Sequence, residues 1–182
     1  GPAYAGIALP HRDHASLATI ATGHQADDGG GAPALPWAAL VGQGGTLVFL
    51  MGVRRLESIL EALRAHGLAP DTPAAAIEWG TTGRQRTIVG TAATLARDAA
   101  AAGLASPAVL VVGAVVGLRE RIRWFETRPL LGRRVVVTRA RAQAGPLADR
   151  LEAEGPEVIL FPTIVLVPPA DPRLPDQGSH PL

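Results

Sequence analysis

The chain has 182 residues, 47% of them hydrophobic, and a net charge of +1, enough apolar material for a core and too little positive charge for a partner held by phosphate neutralisation. It contains no cysteine, which excludes disulfides, thiolate metal sites and thiol nucleophiles. All 17 basic residues are arginine, so lysine acid–base or Schiff-base chemistry is excluded, and every cationic site is a planar fork suited to carboxylates and phosphates.

In chain order, the residues up to Pro10 are apolar and turn-rich, and Asp13 stands where a helix N-cap would. Leu17, Ile20 and Ala21 then mark an apolar stripe of a helix that Gly23 would stop. Gln25 to Pro36 reads as a surface loop; its glycines lack the preceding strand and the following Gly-Lys-Ser/Thr of a phosphate cradle. Thr46 to Gly52 (TLVFLMG) is a continuous apolar run, the pattern of a strand covered on both faces. The next segment is helical, with Leu56, Ile59, Leu60 and Leu63 on one face and Gly67 closing it.

Two strands, PAAAIEW and QRTIVGT, flank the turn Gly80-Thr81-Thr82-Gly83. An alanine-rich helix over Ala92 to Ala102, a buried strand in PAVLVVGAVV and an amphipathic helix over Leu118 to Phe125 follow, the last with Arg119, Arg121 and Arg123 exposed. Glu126 to Gly132 reads as a linker. A second unit then offers a strand (RRVVVTRA), a helix (AQAGPLADRLEAEG) and a further strand, one β-α-β crossover too small to bury a core alone. Ala170 to Leu182 is a Pro-rich, disordered tail by pattern. Strands alternating with helices make the fold class α/β. There is no signal-peptide pattern, and the longest apolar stretch, near Ser106 to Leu118, is too short for a bilayer and broken by Gly113 and Gly117. A cytoplasmic chain, touching neither nucleic acid nor membrane, is the expectation.

The usual catalytic constellations are missing. No serine lies in a Gly-x-Ser-x-Gly elbow, no carboxylate pair occupies a structured turn, and His11 with His14 is too little for a metal site. Glycines directly after apolar runs stand out instead: Met51-Gly52, Trp79-Gly80 and Val112-Gly113. Ligands in α/β folds bind beyond the carboxyl ends of strands, where a glycine lets them approach the main chain. Each glycine is equally an ordinary strand terminator, and both readings stay open.

Several stretches together, PAYAGIALPHRDHASLATIATGH, TLVFLMG, IEWGTTGRQRTIVGT and PAVLVVGAVVGLRERIRWF, resemble the second half of uroporphyrinogen-III C-methyltransferases, in the tetrapyrrole methylase family. The resemblance runs collinearly over residues 1-125 and implies the C-terminal lobe, a mixed sheet with helices on both faces. It implies S-adenosylmethionine as methyl donor, S-adenosylhomocysteine as its product, uroporphyrinogen III as substrate, precorrin-2 as product on the way to sirohaem and cobalamin, and a homodimer. It places the main chain at Met51, Gly52, Gly80 and Thr81 against the cofactor, with Gly113 a weaker candidate, and allows Arg12 to face the substrate carboxylates or to pair with Asp13. For Arg86 an ion pair with Glu78 is the favoured role. Pro10 departs from the threonine usual before His-Arg. The family's first lobe, with its Gly-Gly-Asp-Pro loop and the acid–base residues, has no counterpart in these residues, so no catalytic residue is expected in this chain and low or no activity of it alone is. Residues 133-169 resemble the start of uroporphyrinogen-III synthases, which make that same substrate; a fragment of a methyltransferase–synthase fusion is the resulting expectation. The alternatives are a precorrin methylase and a non-catalytic dimerisation or cofactor-binding module.

Overall fold

The computed structural model describes residues 1–23 and 32–165. Most of the loop expected from Gln25 and the whole Pro-rich tail lie outside them. The order is β1 (Ala18–Thr22), α1 (Trp37–Gly42), β2 (Thr46–Leu50), α2 (Leu56–Ala65), β3 (Pro73–Glu78), β4 (Arg86–Thr91), α3 (Leu95–Ala101), β5 (Ala108–Val112), α4 (Arg119–Ile122), β6 (Arg134–Val137), α5 (Arg141–Ala153) and β7 (Glu157–Leu160).

Five strands form one mixed sheet in the order β1-β2-β5-β3-β4. β1 runs parallel to β2, while β5 is antiparallel to both β2 and β3. Alternate residues of the central strands therefore face two cores. Leu47, Phe49, Ala74, Ala76, Leu110 and Val112 face α1, α2 and α3, and the helical stripe Leu56, Ile59, Leu60 and Leu63 is buried there as its spacing requires. Val48, Ala75, Ile77 and Val111 face the other way. On that side Ala5, Ile7 and Ala15 of the N-terminal segment and Val115 and Val116 of the 3-10 turn Ala114–Leu118 form the cover; the strand expected over PAVLVVGAVV ends at Val112, and its last residues belong to that turn.

The segment expected to be a helix ending at Gly23 is instead strand β1. Thr19, Ile20 and Thr22 are β-branched, and Ala18 to Thr22 pair residue by residue with Thr46 to Leu50. Leu17, just before this edge strand, and Ile20 on it, two members of the supposed stripe, are exposed. Asp13 caps nothing: it lies in a tight loop where the His11 N–H donates to the Ala15 carbonyl, and its own N–H donates to His11 Nδ1 at 3.2 Å. Helix α1, six residues without a side-chain cap, carried no sequence signal strong enough to mark it.

β6 and β7 pair in parallel across α5, as the second unit's pattern requires. This unit meets the first at the Gly80–Gly83 turn. The Gly132 N–H donates to the Gly83 carbonyl at 2.9 Å, Arg84 lies 3.8 Å from Glu157, and a Cβ on Gly83 would overlap the Pro156–Glu157 peptide. Among the described residues no helix is long and apolar enough to cross a membrane.

Candidate functional site

β2 and β3 run in the same direction on either side of antiparallel β5, so their carboxyl ends share one edge with the first residues of β5. The register sets Leu50 opposite Val109 and Glu78 opposite Ala108. Two strand spacings separate β2 from β3, about 10 Å. On this edge the main chain leaves ordinary conformations. Met51 (φ 56°), Trp79 (φ 49°) and Thr81 (φ 75°) are the non-glycine residues with positive φ among those described. Such backbone costs on the order of 1–3 kcal/mol per residue and gathers where a ligand or a switch requires it.

Trp79 and Thr81 are fixed by their neighbours. The Trp79 N–H donates to the Pro107 carbonyl at 3.0 Å, and the Trp79 carbonyl accepts from both the N–H and the hydroxyl of Thr82. The Arg84 guanidinium lies 3.8 Å above the Trp79 ring centre. The Thr81 N–H donates to Gln85 Oε1 at 2.7 Å. Met51 is exposed and lines a cleft of about 500 Å³ with Leu50, Arg54, Ser106, Pro107 and Val109. That size and mostly apolar lining match the clefts that take small organic ligands. Thr81 opens instead onto a groove between the turn and the second unit, beside Tyr4, Arg128 and Pro156.

Met51, on the cleft, Gly80, and Thr81, on the groove, thus lie at one edge. Gly52 shares it but is buried, and a Cβ there would lie 3.0 Å from Ile59 Cδ1. Its missing side chain is explained by packing, since Gly23 approaches it so closely that a Cβ on Gly23 would overlap the Gly52 Cα. Gly113 is not on this edge. Because β5 is antiparallel, its carboxyl end lies at the opposite edge, where the Gly113 N–H donates to the Pro73 carbonyl at 2.9 Å and a Cβ would lie 2.9 Å from the Gly45 carbonyl oxygen. Arg12 is also at that far edge, exposed in a polar hollow of about 340 Å³ with Asp13, Ser16, Gln43 and Gly45. Five strand residues, about 16 Å, separate it from Met51. It makes no ion pair with a described residue, and Asp13 lies 3.9 Å from His11 Nδ1 instead. The His11 and His14 rings are neighbours, yet among the described residues no group of three metal-ligating side chains exists.

Arg86 takes the structural role favoured for it. Its Nε bonds to Glu78 across the hairpin, and its other nitrogens donate to the Ala102 and Gly103 carbonyls, each at 2.8 Å, which ties β4 to the end of α3. Arg119, expected on an exposed face, is 6% exposed and pairs with Glu126. Glu126, expected in a linker, is held inside the first unit by Arg119, Gln85 and Thr87. Sequence reasoning missed this cluster. Its signal was a lone Gln and a lone Glu in polar segments 41 residues apart, which no local period connects.

Residues 1–96 match the model of the family Tetrapyrrole (Corrin/Porphyrin) Methylases. The chain belongs to the tetrapyrrole methylases. Among curated relatives, the porphyrin biosynthesis protein HemD of Ruminiclostridium josui is 39% identical over 91% of this chain and 32% of its own length. A siroheme synthase of Pseudomonas fluorescens (strain SBW25) is 49% identical over 68% of this chain and 26% of its own. A crystal structure of uroporphyrin-III C-methyl transferase from Thermus thermophilus, complexed with S-adenyl homocysteine, superposes with a TM-score of 0.51 at 28% identity, covering 63% of this chain and 49% of that one. This tetrapyrrole methylase chain spans about a third or less of the curated relatives it matches.

Proposed function

We propose that this chain forms the cofactor-binding lobe of an S-adenosylmethionine-dependent methyltransferase acting on uroporphyrinogen III, followed by the opening unit of a uroporphyrinogen-III synthase. The observation that carries the first part is the strained main chain at Met51, which lines an apolar cleft, with Trp79 and Thr81 strained at the same sheet edge. A relative of known structure was solved with S-adenyl homocysteine, and the lining here fits such a molecule: Leu50, Met51, Pro107 and Val109 offer apolar surface to a purine and ribose. The main chain at exposed Met51 would supply donors and acceptors to the ligand, with half-buried Gly80 at the end of β3 on the same edge.

When bound, the sulfonium of the cofactor makes its methyl carbon electrophilic toward an electron-rich pyrrole carbon. This chain's contribution is to bind and orient the adenosyl end and to exclude water from it. Among the described residues none is placed to move a proton at the reacting carbon, and a second lobe closing the other side of the cleft would supply the acid–base groups. Arg12, at the far edge of the sheet, would reach only a part of the substrate remote from the methyl group.

The synthase reading rests on the second unit's β-α-β form and on alignment lengths. The HemD relative aligns over 165 residues and therefore includes residues beyond Gly132, whereas the siroheme synthase aligns over 124. Calorimetric titration with S-adenosylhomocysteine tests the cofactor site. Micromolar binding by the whole chain is expected, with Gly80→Trp weakening it at least about a hundredfold, since a Cβ at Gly80 already meets the Gly1 Cα at 3.2 Å and Ile77 Cγ2 at 3.4 Å and an indole there would push the turn out of shape. Equal binding by Gly80→Trp would move the site elsewhere.

A further inference from the structure

The Gly80–Gly83 turn is not shaped by its own hairpin alone. Gln85, just beyond it, is 3% exposed and has both ends of its amide engaged. Oε1 accepts the Thr81 N–H at 2.7 Å, and Nε2 donates to Glu126 Oε1 at 2.8 Å. The same Glu126 oxygen accepts from the Thr87 hydroxyl, and its other oxygen pairs with buried Arg119. This order of donors and acceptors fixes which way the amide points. Turned over, its nitrogen would face the Thr81 N–H and its oxygen would face a carboxylate, and both contacts would be repulsive.

The geometry points to Gln85 as a positioning residue for the cofactor turn, with Glu126 setting the orientation of its amide. The inference rests on the reading of the Met51–Thr81 edge as the adenosyl site. Thr81 stands at φ 75°, a conformation its side chain disfavours, and the bond from Gln85 is a tie holding it there from outside the turn. Without that tie the turn relaxes, and a ligand that needs the observed shape must select it from a mixture, with its apparent affinity reduced in proportion. An apolar side chain of the same length cannot accept the Thr81 N–H. A glutamate can accept it but opposes Glu126. Exchanging the two residues restores both bonds: glutamate at 85 accepts from Thr81, and the amide nitrogen of glutamine at 126 donates to it and, with its second hydrogen, to the Thr87 hydroxyl, while its carbonyl oxygen accepts from Arg119.

The test is S-adenosylhomocysteine titration of the whole chain with thermal unfolding alongside. Gln85→Met is expected to weaken binding about tenfold or more in the folded protein. Gln85→Glu is expected to weaken it similarly, and the exchanged pair Gln85→Glu with Glu126→Gln to return to within about threefold of the parent. A merely structural role would lower the melting temperature and leave affinity alone. Folded Gln85→Met with parental affinity overturns the inference, as does an exchanged pair no better than Gln85→Glu; the latter comparison decides the matter should Gln85→Met not fold. If the parent binds and Gly80→Trp binds equally well, the adenosyl site itself is misplaced and both readings fall. No binding by the parent chain overturns both as well, whereas weakening by Gly80→Trp without weakening by Gln85→Met removes this inference alone.

Discussion

Glu126→Ala is expected to lower the stability of the chain by about 3–5 kcal/mol, the range found when one partner of a buried ion pair is removed. The Arg119 side chain is 7% exposed and that of Glu126 is 11% exposed. Truncation removes the buried countercharge of the Arg119 guanidinium, leaving it only the exposed Glu120, and strips an acceptor from Gln85 and Thr87. Set against a total stability on the order of 5–15 kcal/mol, that loss is a large part of what keeps the unit folded. The control is close at hand. Glu120 also meets Arg119, at 3.4 Å, but is 68% exposed; its removal is expected to cost less than about 1 kcal/mol. Urea unfolding of the two variants at neutral pH, with unchanged slopes, separates them. Equal midpoints would show that Glu126 does not act as the interior partner of Arg119.

Phe49→Ala is the second large effect, again about 3–5 kcal/mol. Phe49 of β2 is 1% exposed, with its ring stacked on Trp37 of α1 at a centroid distance of 6.0 Å. No neighbouring element can close the resulting void without moving α1 off the sheet. The next residue, Leu50, points to the other side and is 43% exposed in the Met51 cleft. Leu50→Ala is expected to change stability by no more than about 0.5 kcal/mol. A Phe49→Ala protein as stable as Leu50→Ala would mean that α1 does not cover this face.

What could be read in the sequence divides along the range of the interaction concerned. The buried strand Thr46–Leu50 and the helix with Leu56, Ile59, Leu60 and Leu63 inside were legible, because local periodicity alone encodes which side faces a core. The segment from Ala18 was misread because Leu17, Ile20 and Ala21 fit a helical period by coincidence; pairing with β2, 28 residues later in register, settles its form. Met51, Gly80 and Thr81 were legible as strand-end residues. Gly113 looked equivalent to them, and only the antiparallel direction of β5 sends it to the other edge. Nothing local to Val112-Gly113 specifies that direction. Arg119 was placed outside because arginine on a short amphipathic helix usually lies there; its carboxylate arrives seven residues later through a turn of the chain.

The connection between the two units has a consequence for how its length can vary over evolutionary time. Loops between domains are where insertions and deletions usually accumulate. Here both ends of the connector are pinned to the same turn: Glu126 through Gln85, and Gly132 through the Gly83 carbonyl, while Leu130 donates to Glu154 in between. A single added residue would either pull the carboxylate from Arg119 or lift Pro156 from Gly83. Lineages that keep the second unit in this position are therefore expected to keep the spacing from Glu126 to Gly132 fixed while its other side chains drift.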